Sequence, residues 1–579
     1  MTRTEPTTAG TAAETAAARQ GALTHRQILT ILAGLQIGMF LAALDQMILA
    51  TAIRTIADDL SGLRQEGWTL TTYLVAMAAT TPLYGKLSDI HGRKPMFLLA
   101  ISVFMVGSVA CTFAMSMDQL ALARGLQGLG AGGLISLGLA IIADIVPARE
   151  RGRYQGYLLA IFVTSSVLGP VIGGVLAGQP TILGITGWRW VFLVNVPVGL
   201  VALVVVAKVL NVQSARRSSR VDWLGSVTLV ATLVPLLLVV ERGRLWGWAS
   251  LESLACLAVV PLGFAAWLAA SRRAGDDALI PLRLFRSGEF SRFCGLGLIY
   301  GLSLFTGSVI IPQYLQIVRN ASPMAAGLMV LPLVVAMVLA SLLVGRLMSR
   351  SGRYKRYPIV GMALVTASLV LFAFGLDAST PLVGVMLLMC VYGVGLGCCI
   401  QTLTVATQNA VPMEDIGVAT GAASFVRQFG LMSGTAVLFS ILFHYAGSGI
   451  AGAITAALGT DRFRAALADP AVTGDPANAP ILDAVGDPAN AVDRSGVLND
   501  SSFLHDIDPR LAQPFQEGFA NSMEVVFGIA ACVAAVGLVL SLLMKELPLR
   551  KVSAHQARSE EAPEASQEAS QEAEPAAVR

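Results

Sequence analysis

Asp45 and Arg124 are ionisable residues set inside long apolar runs of a 579-residue chain. A charge at bilayer depth costs about 2.5–3.5 kcal/mol, so such residues face a protein interior or a wet cavity. At ~1.5 Å per residue, Asp45 lies ~12 Å inside the outer end of a first helix closing near Ile53. Arg124 lies ~8 Å below the same surface on a fourth helix running inward. Burial favours the neutral acid and a nearby guanidinium favours the carboxylate, so substrate arrival or altered hydration can move a proton on or off Asp45. The same pair also fits a plain tether between two helices.

A second set, Asp89, Arg93 and Asp144, falls at the expected cytoplasmic ends of the second and fourth helices. An Arg between two carboxylates makes charge-assisted bonds that can hold helices in one state and release them in another. Positive-inside anchoring by Arg93 and Lys94 is the plainer alternative. Arg427 is the deepest of the remaining charges, whereas Glu241 and Glu524 fall near helix ends. Arg54, nine residues after Asp45, projects from the opposite face and is expected to reach the outer headgroups. In the fifth helix, Ser165 precedes Gly169-Pro170 and Gly173-Gly174, small residues that permit close packing around a Pro expected to bend the helix.

The elements that position these residues follow from composition. Charged residues make up 13%, hydrophobic residues 55%, and the mean hydropathy is +0.68. That excludes an ordinary soluble protein and disorder, and the net charge of +3 leaves no basic excess for nucleic acid. The seven Cys and five His form no spaced ligand cluster, and no Walker A, nucleophile-elbow or dinucleotide pattern occurs. Neither metal, cofactor nor enzymatic activity is expected.

Fourteen stretches are long enough to span ~30 Å of hydrocarbon. They begin near Ile28, Trp68, Met96, Gln119, Tyr154, Trp188, Val221, Leu251, Ser291, Met324, Tyr357, Pro381, Ile416 and Asn521. Basic clusters at Lys86–Lys94, Arg149–Arg153, Arg216–Arg220, Arg272–Arg286 and Arg350–Arg356 place alternate loops and both termini in the cytoplasm. The expected organisation is a cytoplasmic tail (1–26), a six-helix bundle (27–212), two inserted helices (213–290), a second six-helix bundle (291–550) and a disordered tail (551–579). The second bundle carries a long acidic extracytoplasmic loop, 445–520, rich in Asp-Pro pairs and expected to be a partly ordered cap.

An internal repeat supports the two bundles. Gly85-x-Leu…Gly92-Arg93 returns as Gly345-x-Leu…Gly352-Arg353, 260 residues on. Gly130-x-Gly132 and Pro147 return as Gly395-x-Gly397 and Pro412, 265 residues on. Parallel halves of this kind are one signature of a secondary transporter with its site between them. The acids are not repeated, since Ser349 and Asn409 stand where the first half has Asp89 and Asp144.

These residues resemble the major facilitator superfamily, in its fourteen-helix drug:proton antiporter branch. Gly85-Lys-Leu-Ser-Asp89-Ile-His-Gly-Arg93-Lys94-Pro95 is similar to its loop signature, and Arg124-Gly-Leu-Gln127-Gly-Leu-Gly130 to its fourth-helix motif. Gly169-Pro170-Val-Ile-Gly173-Gly174 resembles the antiporter motif, and Trp188-Arg-Trp-Val-Phe-Leu-Val-Asn195-Val-Pro197 the sixth-helix motif. The first-helix pattern keeps Leu44, Asp45, Ile48 and Ala52 but has Met47, Ala50 and Arg54 where the family usually has Thr, Asn and Pro. The resemblance implies an all-α integral membrane fold of fourteen helices arranged 6+2+6. It further implies a monomeric, proton-coupled exporter of lipophilic drugs, cationic ones included, in the plasma membrane, working by alternating access. Asp45 and Arg124 would couple the proton, Asp89, Arg93 and Asp144 would form the latch, and Gln127 and Arg427 are candidate cavity residues. Export of a lipid, siderophore or self-made antibiotic stays open, as does a non-transporting sensor or scaffold.

Overall fold

The structure, a computed structural model, describes residues 25–60, 66–210, 221–247, 250–321, 323–375, 380–486 and 507–550. Arg216, Arg217, Arg220 and both terminal tails fall outside these residues, as do the side chains of Arg54, Arg149 and Glu241.

The chain folds into long helices, which in lipid satisfy every backbone group within the segment. In order they are α1 (His25–Asp59), α2 (Glu66–His91), α3 (Arg93–Thr112), α4 (Met117–Ile145) and α5 (Ala148–Ala177). After α6 (Arg189–Val209, interrupted at Val194) come α7 (Trp223–Trp246) and α8 (Leu251–Ala274). They continue as α9 (Gly288–Ile317), α10 (Pro323–Ser351), α11 (Arg356–Phe374), α12 (Leu382–Asn409), α13 (Ile416–Leu458) and α14 (Pro509–Leu543). Among the described residues, eleven helices are long and apolar enough to cross a membrane. Side-chain oxygens of Ser116, Asp222 and Ser250 cap α4, α7 and α8 by accepting from backbone N–H groups in the first turn.

Helices α1–α6 pack on one another, as do α9–α14, while α7 and α8 pair together with α7 lying against α2. Buried cores follow the same division: one runs from Phe293 to Leu549, and two lie between Ile28 and Leu210. The halves meet chiefly where α2 crosses α13 and α5 crosses α10.

The sequence repeat has a physical cause. A Cβ at Gly130 would collide with the backbone of α3, and one at Gly395 with the backbone of α11. Gly132 and Gly397 meet α2 and α10 in the same way. The α2–α3 and α10–α11 turns both use glycine in the left-handed region, Gly92 at φ 97° and Gly352 at φ 67°.

Two boundaries differ from the sequence reading. Helix α1 continues past Ile53 to Asp59, which puts Asp45 about 21 Å from that end. The described residues of the expected loop 445–520 are largely helix, because α13 extends to Leu458 and α14 begins at Pro509, while 487–506 lie outside the described residues. Between them Asp461–Ala468, Pro470–Thr473 and Ala479–Gly486 form short helices. Arg510 bonds Asp508 and Asp469 there, and holds the Asp508 carboxyl below its ordinary range.

Candidate functional site

Asp45 and Arg124 meet at the centre of the first half, both fully buried. The Arg124 Nη1 donates to Asp45 Oδ2 at 2.5 Å and to Gln127 Oε1 at 2.5 Å. Gln127 Nε2 donates to Asp45 Oδ1 at 2.8 Å and to Ser108 Oγ at 2.7 Å. From α6, Asn195 Nδ2 donates to Asp45 Oδ1 at 2.7 Å. The guanidinium stacks 4.1 Å from the centre of the Tyr73 ring. Donors from α4 and α6 thus converge on a carboxylate of α1, with α2 and α3 supplying Tyr73 and Ser108 around them, and the i,i+3 spacing of Arg124 and Gln127 puts both on the same face of α4. Arg124 Nε and Nη2 and the Asn195 Oδ1 are buried without hydrogen-bond partners among the described residues. Three donors, Arg124 Nη1, Gln127 Nε2 and Asn195 Nδ2, thus reach the Asp45 carboxylate. Ser108, Asn195 and Tyr73 carry no charge and had no signal among the many polar residues of apolar helices. Only Asn195 falls within a recognised motif.

Asp89, Arg93 and Asp144 also come together. Arg93 Nη1 lies 2.6 Å from Asp89 Oδ1, Arg93 Nε donates to Asp144 Oδ2 at 2.7 Å, and Nη1 also donates to Ser88. The trio reaches the other half: the backbone N–H of Val418, in the first turn of α13, donates to Asp89 Oδ2 at 3.1 Å. That helix start presents unpaired N–H groups and partial positive charge to the carboxylate. Gly417 leaves room for the pair, since a Cβ there would push on the Asp89 carboxylate and the Arg93 guanidinium.

Further contacts cross at the same end. Arg151 Nη1 donates to Gln408 Oε1 at 3.4 Å, and Gln408 Nε2 donates to Leu139 O at 3.4 Å. Lys86 donates to the Asp276 carbonyl in the segment after α8. From that segment Arg283 makes a two-pronged pair with Asp415 at 2.7 and 2.9 Å and a third bond to Asp276. Asp415 holds the Arg283 guanidinium above its ordinary pKa. The inserted pair's connection therefore straps the two halves together.

In the second half the matching turn binds its own chain end. Asn409 donates to Pro548 O and accepts from Arg550 N, and Tyr354 Oη accepts from Leu547 N and donates to Lys545 O.

Gly169 and Gly173 of α5 press on Met47, Ile48 and Thr51, the turn of α1 that follows Asp45, while Gly174 has open space. Pro170 sits within the continuous helix α5, and its side chain lies outside the described residues. Arg427 is apart from Asp45, on α13, lining a cavity of the second half. Glu524 is half-buried on α14. Trp188 is 1% exposed and donates to Asp59 Oδ2, closing the extended end of α1 onto the start of α6.

The sequence profile of the Major Facilitator Superfamily matches residues 35–435. An MFS-type transporter of Mycobacterium tuberculosis is 33% identical over 552 residues, covering 95% of this chain and 74% of its own. Multidrug resistance protein 3 of Bacillus subtilis is 30% identical over 412 residues, 71% of this chain and 79% of its own. The solved structure of the proton:xylose symporter XylE bound to 6-bromo-6-deoxy-D-glucose shares the fold, with a TM-score of 0.57 at 14% identity over 92% of this chain and 99% of that one. By sequence profile, by relatives along nearly its whole length and by fold, the chain belongs to the major facilitator superfamily.

Proposed function

We propose that this protein is a proton-coupled exporter of lipophilic drugs, working as a monomer by alternating access in the plasma membrane. The observation that carries the reading is the fully buried Asp45, held by Arg124, Gln127 and Asn195. A relative bearing the name multidrug resistance protein 3 supports the cargo class. In this reading α1–α6 and α9–α14 are two bundles that rock about the site, with α7 and α8 inserted between them. Basic loops put the α2–α3 end and both termini in the cytoplasm. Protonation of Asp45 releases Arg124, and substrate and proton move in opposite directions. One charge crossing 100 mV supplies ~2.3 kcal/mol, enough for a ~50-fold substrate gradient. To test it, lipophilic dyes and antibiotics are screened for accumulation in cells with and without the gene, and with and without a protonophore. At least one compound should accumulate less when the gene is present, and the protonophore should erase the difference. Equal accumulation across the panel, or a difference that survives the protonophore, would overturn the reading.

The latch of Asp89, Arg93 and Asp144, docked on the start of α13, holds the cytoplasmic side closed, and the Arg283–Asp415 strap reinforces it. Arg283 is about one-third exposed, so its pairing is worth little by itself, about 1 kcal/mol or less. Arg283→Ala is expected to raise cytoplasmic accessibility a few-fold, read as faster maleimide labelling of a cysteine placed at Gln408. Unchanged labelling would remove the strap from the gate.

One observation favours a second cargo class. A cleft of about 480 Å³ opens between α2, α4 and α7, lined by Val75, Ala79, Leu129, Val227 and Val230, and its Thr72 and Thr80 hydroxyls are spent on backbone carbonyls. Such a surface suits an acyl chain, so export of a lipid is the alternative. Purified protein that moves a fluorescent phospholipid between leaflets, with no dye transport, would select it.

A further inference from the structure

Three helix faces meet around a cavity in the second half. Phe293, Gly297 and Tyr300 recur at helical spacing on α9, as do Leu403, Thr404 and Thr407 on α12 and Thr420, Ser424 and Arg427 on α13. The free volume is about 20 Å³, room for one water-sized group in this conformation. A Cβ at Gly297 would meet nothing within 4 Å, so the wall is open there.

Two polar groups face this cavity, a half-buried guanidinium and a fully buried phenol. Arg427 has no ion pair or side-chain hydrogen bond among the described residues. Tyr300 is fully buried, and its hydroxyl is likewise unpartnered. Acids are few around the cation: from Phe293 to Asn409 there is only Asp377, which lies outside the described residues, and on α14 Glu517 accepts from Gln513 while neither it nor Glu524 forms an ion pair with Arg427. At the rim a second guanidinium, Arg151, donates to Gln408, which also lines the cavity. The first half treats its deep arginine in the opposite way, pairing Arg124 with Asp45 at 2.5 Å. An uncompensated cation at bilayer depth is costly and marks a ligand pathway, and a guanidinium beside a phenol hydroxyl presents donors matched to a carboxylate.

We propose that Arg427 and Tyr300 form a subsite for the carboxylate head of an amphipathic substrate, whose apolar body would lie against Phe293, Ile400 and Leu403 once α9, α12 and α13 part beyond the closed volume seen here. This deepens the export reading, on which it rests for direction, and assigns the cargo an acidic group rather than a cationic one. Arg427 repels a bound cation and anchors an acid. Tyr300 adds a neutral donor that remains useful in either protonation state of Asp45.

The test uses full-length protein in lipid nanodiscs and a matched pair of probes, 2-naphthoate and the uncharged 2-naphthamide, with binding measured by titration calorimetry. Wild type should bind naphthoate about tenfold or more tighter than the amide, as expected for a charge-assisted pair. Arg427→Gln should abolish the preference, Arg427→Lys should keep part of it, and Tyr300→Phe should reduce it several-fold while the charge stays. Unfolding temperatures of the variants separate lost binding from lost fold, and the lysine and phenylalanine variants serve if the glutamine variant does not fold. No preference in wild type, or a preference that Arg427→Gln retains, overturns the subsite. Asp45→Asn should keep the naphthoate preference. Proton-driven export without that preference would fell the subsite alone, whereas the preference without proton-driven export would fell the coupling reading alone.

Discussion

Replacing Asp45 by Asn should abolish proton-driven export, collapsing a substrate gradient of ~50-fold per 100 mV to about unity. Asn is nearly the same shape and can still accept from Asn195, but it cannot bind and release a proton. The change also leaves Arg124 buried beside a neutral group, and an uncompensated buried charge costs about 3–5 kcal/mol. The measurement is substrate uptake into inside-out vesicles on an imposed ΔpH, with thermal unfolding recorded in parallel. The double change of Asp45→Asn with Arg124→Gln is the control, since it removes both charges and should recover much of the stability without recovering transport. Coupled uptake at the wild-type level in Asp45→Asn would sink the assignment. Recovery of transport in the double variant would reduce the pair to a tether between α1 and α4.

The second large effect is expected from Arg93→Ala. Its side chain is 3% exposed and joins Asp89 to Asp144. Without it two buried carboxylates face each other, and removing one partner from a buried pair costs about 3–5 kcal/mol. Because Asp89 also accepts from Val418 N of the other half, much of that cost falls on the closed cytoplasmic side and not on the fold as a whole. The balance between closed and open states should shift by about a hundredfold or more. Spin labels at positions 91 and 351, exposed residues at the matching turns of the two halves, report it as a longer distance distribution. An unchanged distribution would mean that the trio anchors α2 to α4 without gating.

The sequence made rare charges conspicuous and left common polar residues anonymous. Asp45, Arg124, Asp89, Arg93 and Asp144 were legible because an ionised group in an apolar helix is expensive and so demands a reason. Ser108 and Tyr73 were not, since uncharged Ser and Tyr occur throughout such helices and a Ser hydroxyl commonly bonds the preceding turn. Val418 was beyond reach for another reason: it acts through its backbone N–H, which every residue carries, and only the docking of α2 on α13 gives it a role. The helices themselves were legible from apolar length, but their ends were not. Past Ile53 the chain keeps helical hydrogen bonds through a polar stretch that Trp188 steadies by donating to Asp59, and past His444 small residues carry α13 on to Leu458. The repeat was legible because close helix crossings admit only glycine, whether or not the surrounding residues diverge.

The way the second half's turn grips the chain end has a practical side. Tyr354, Asn409 and the carbonyl of Val411 together hold residues 545–550 against α10–α12. A fluorescent protein or affinity tag fused at Met544 would discard that clasp and leave those groups to water, whereas a junction placed beyond Arg550 would leave every one of its hydrogen bonds in place.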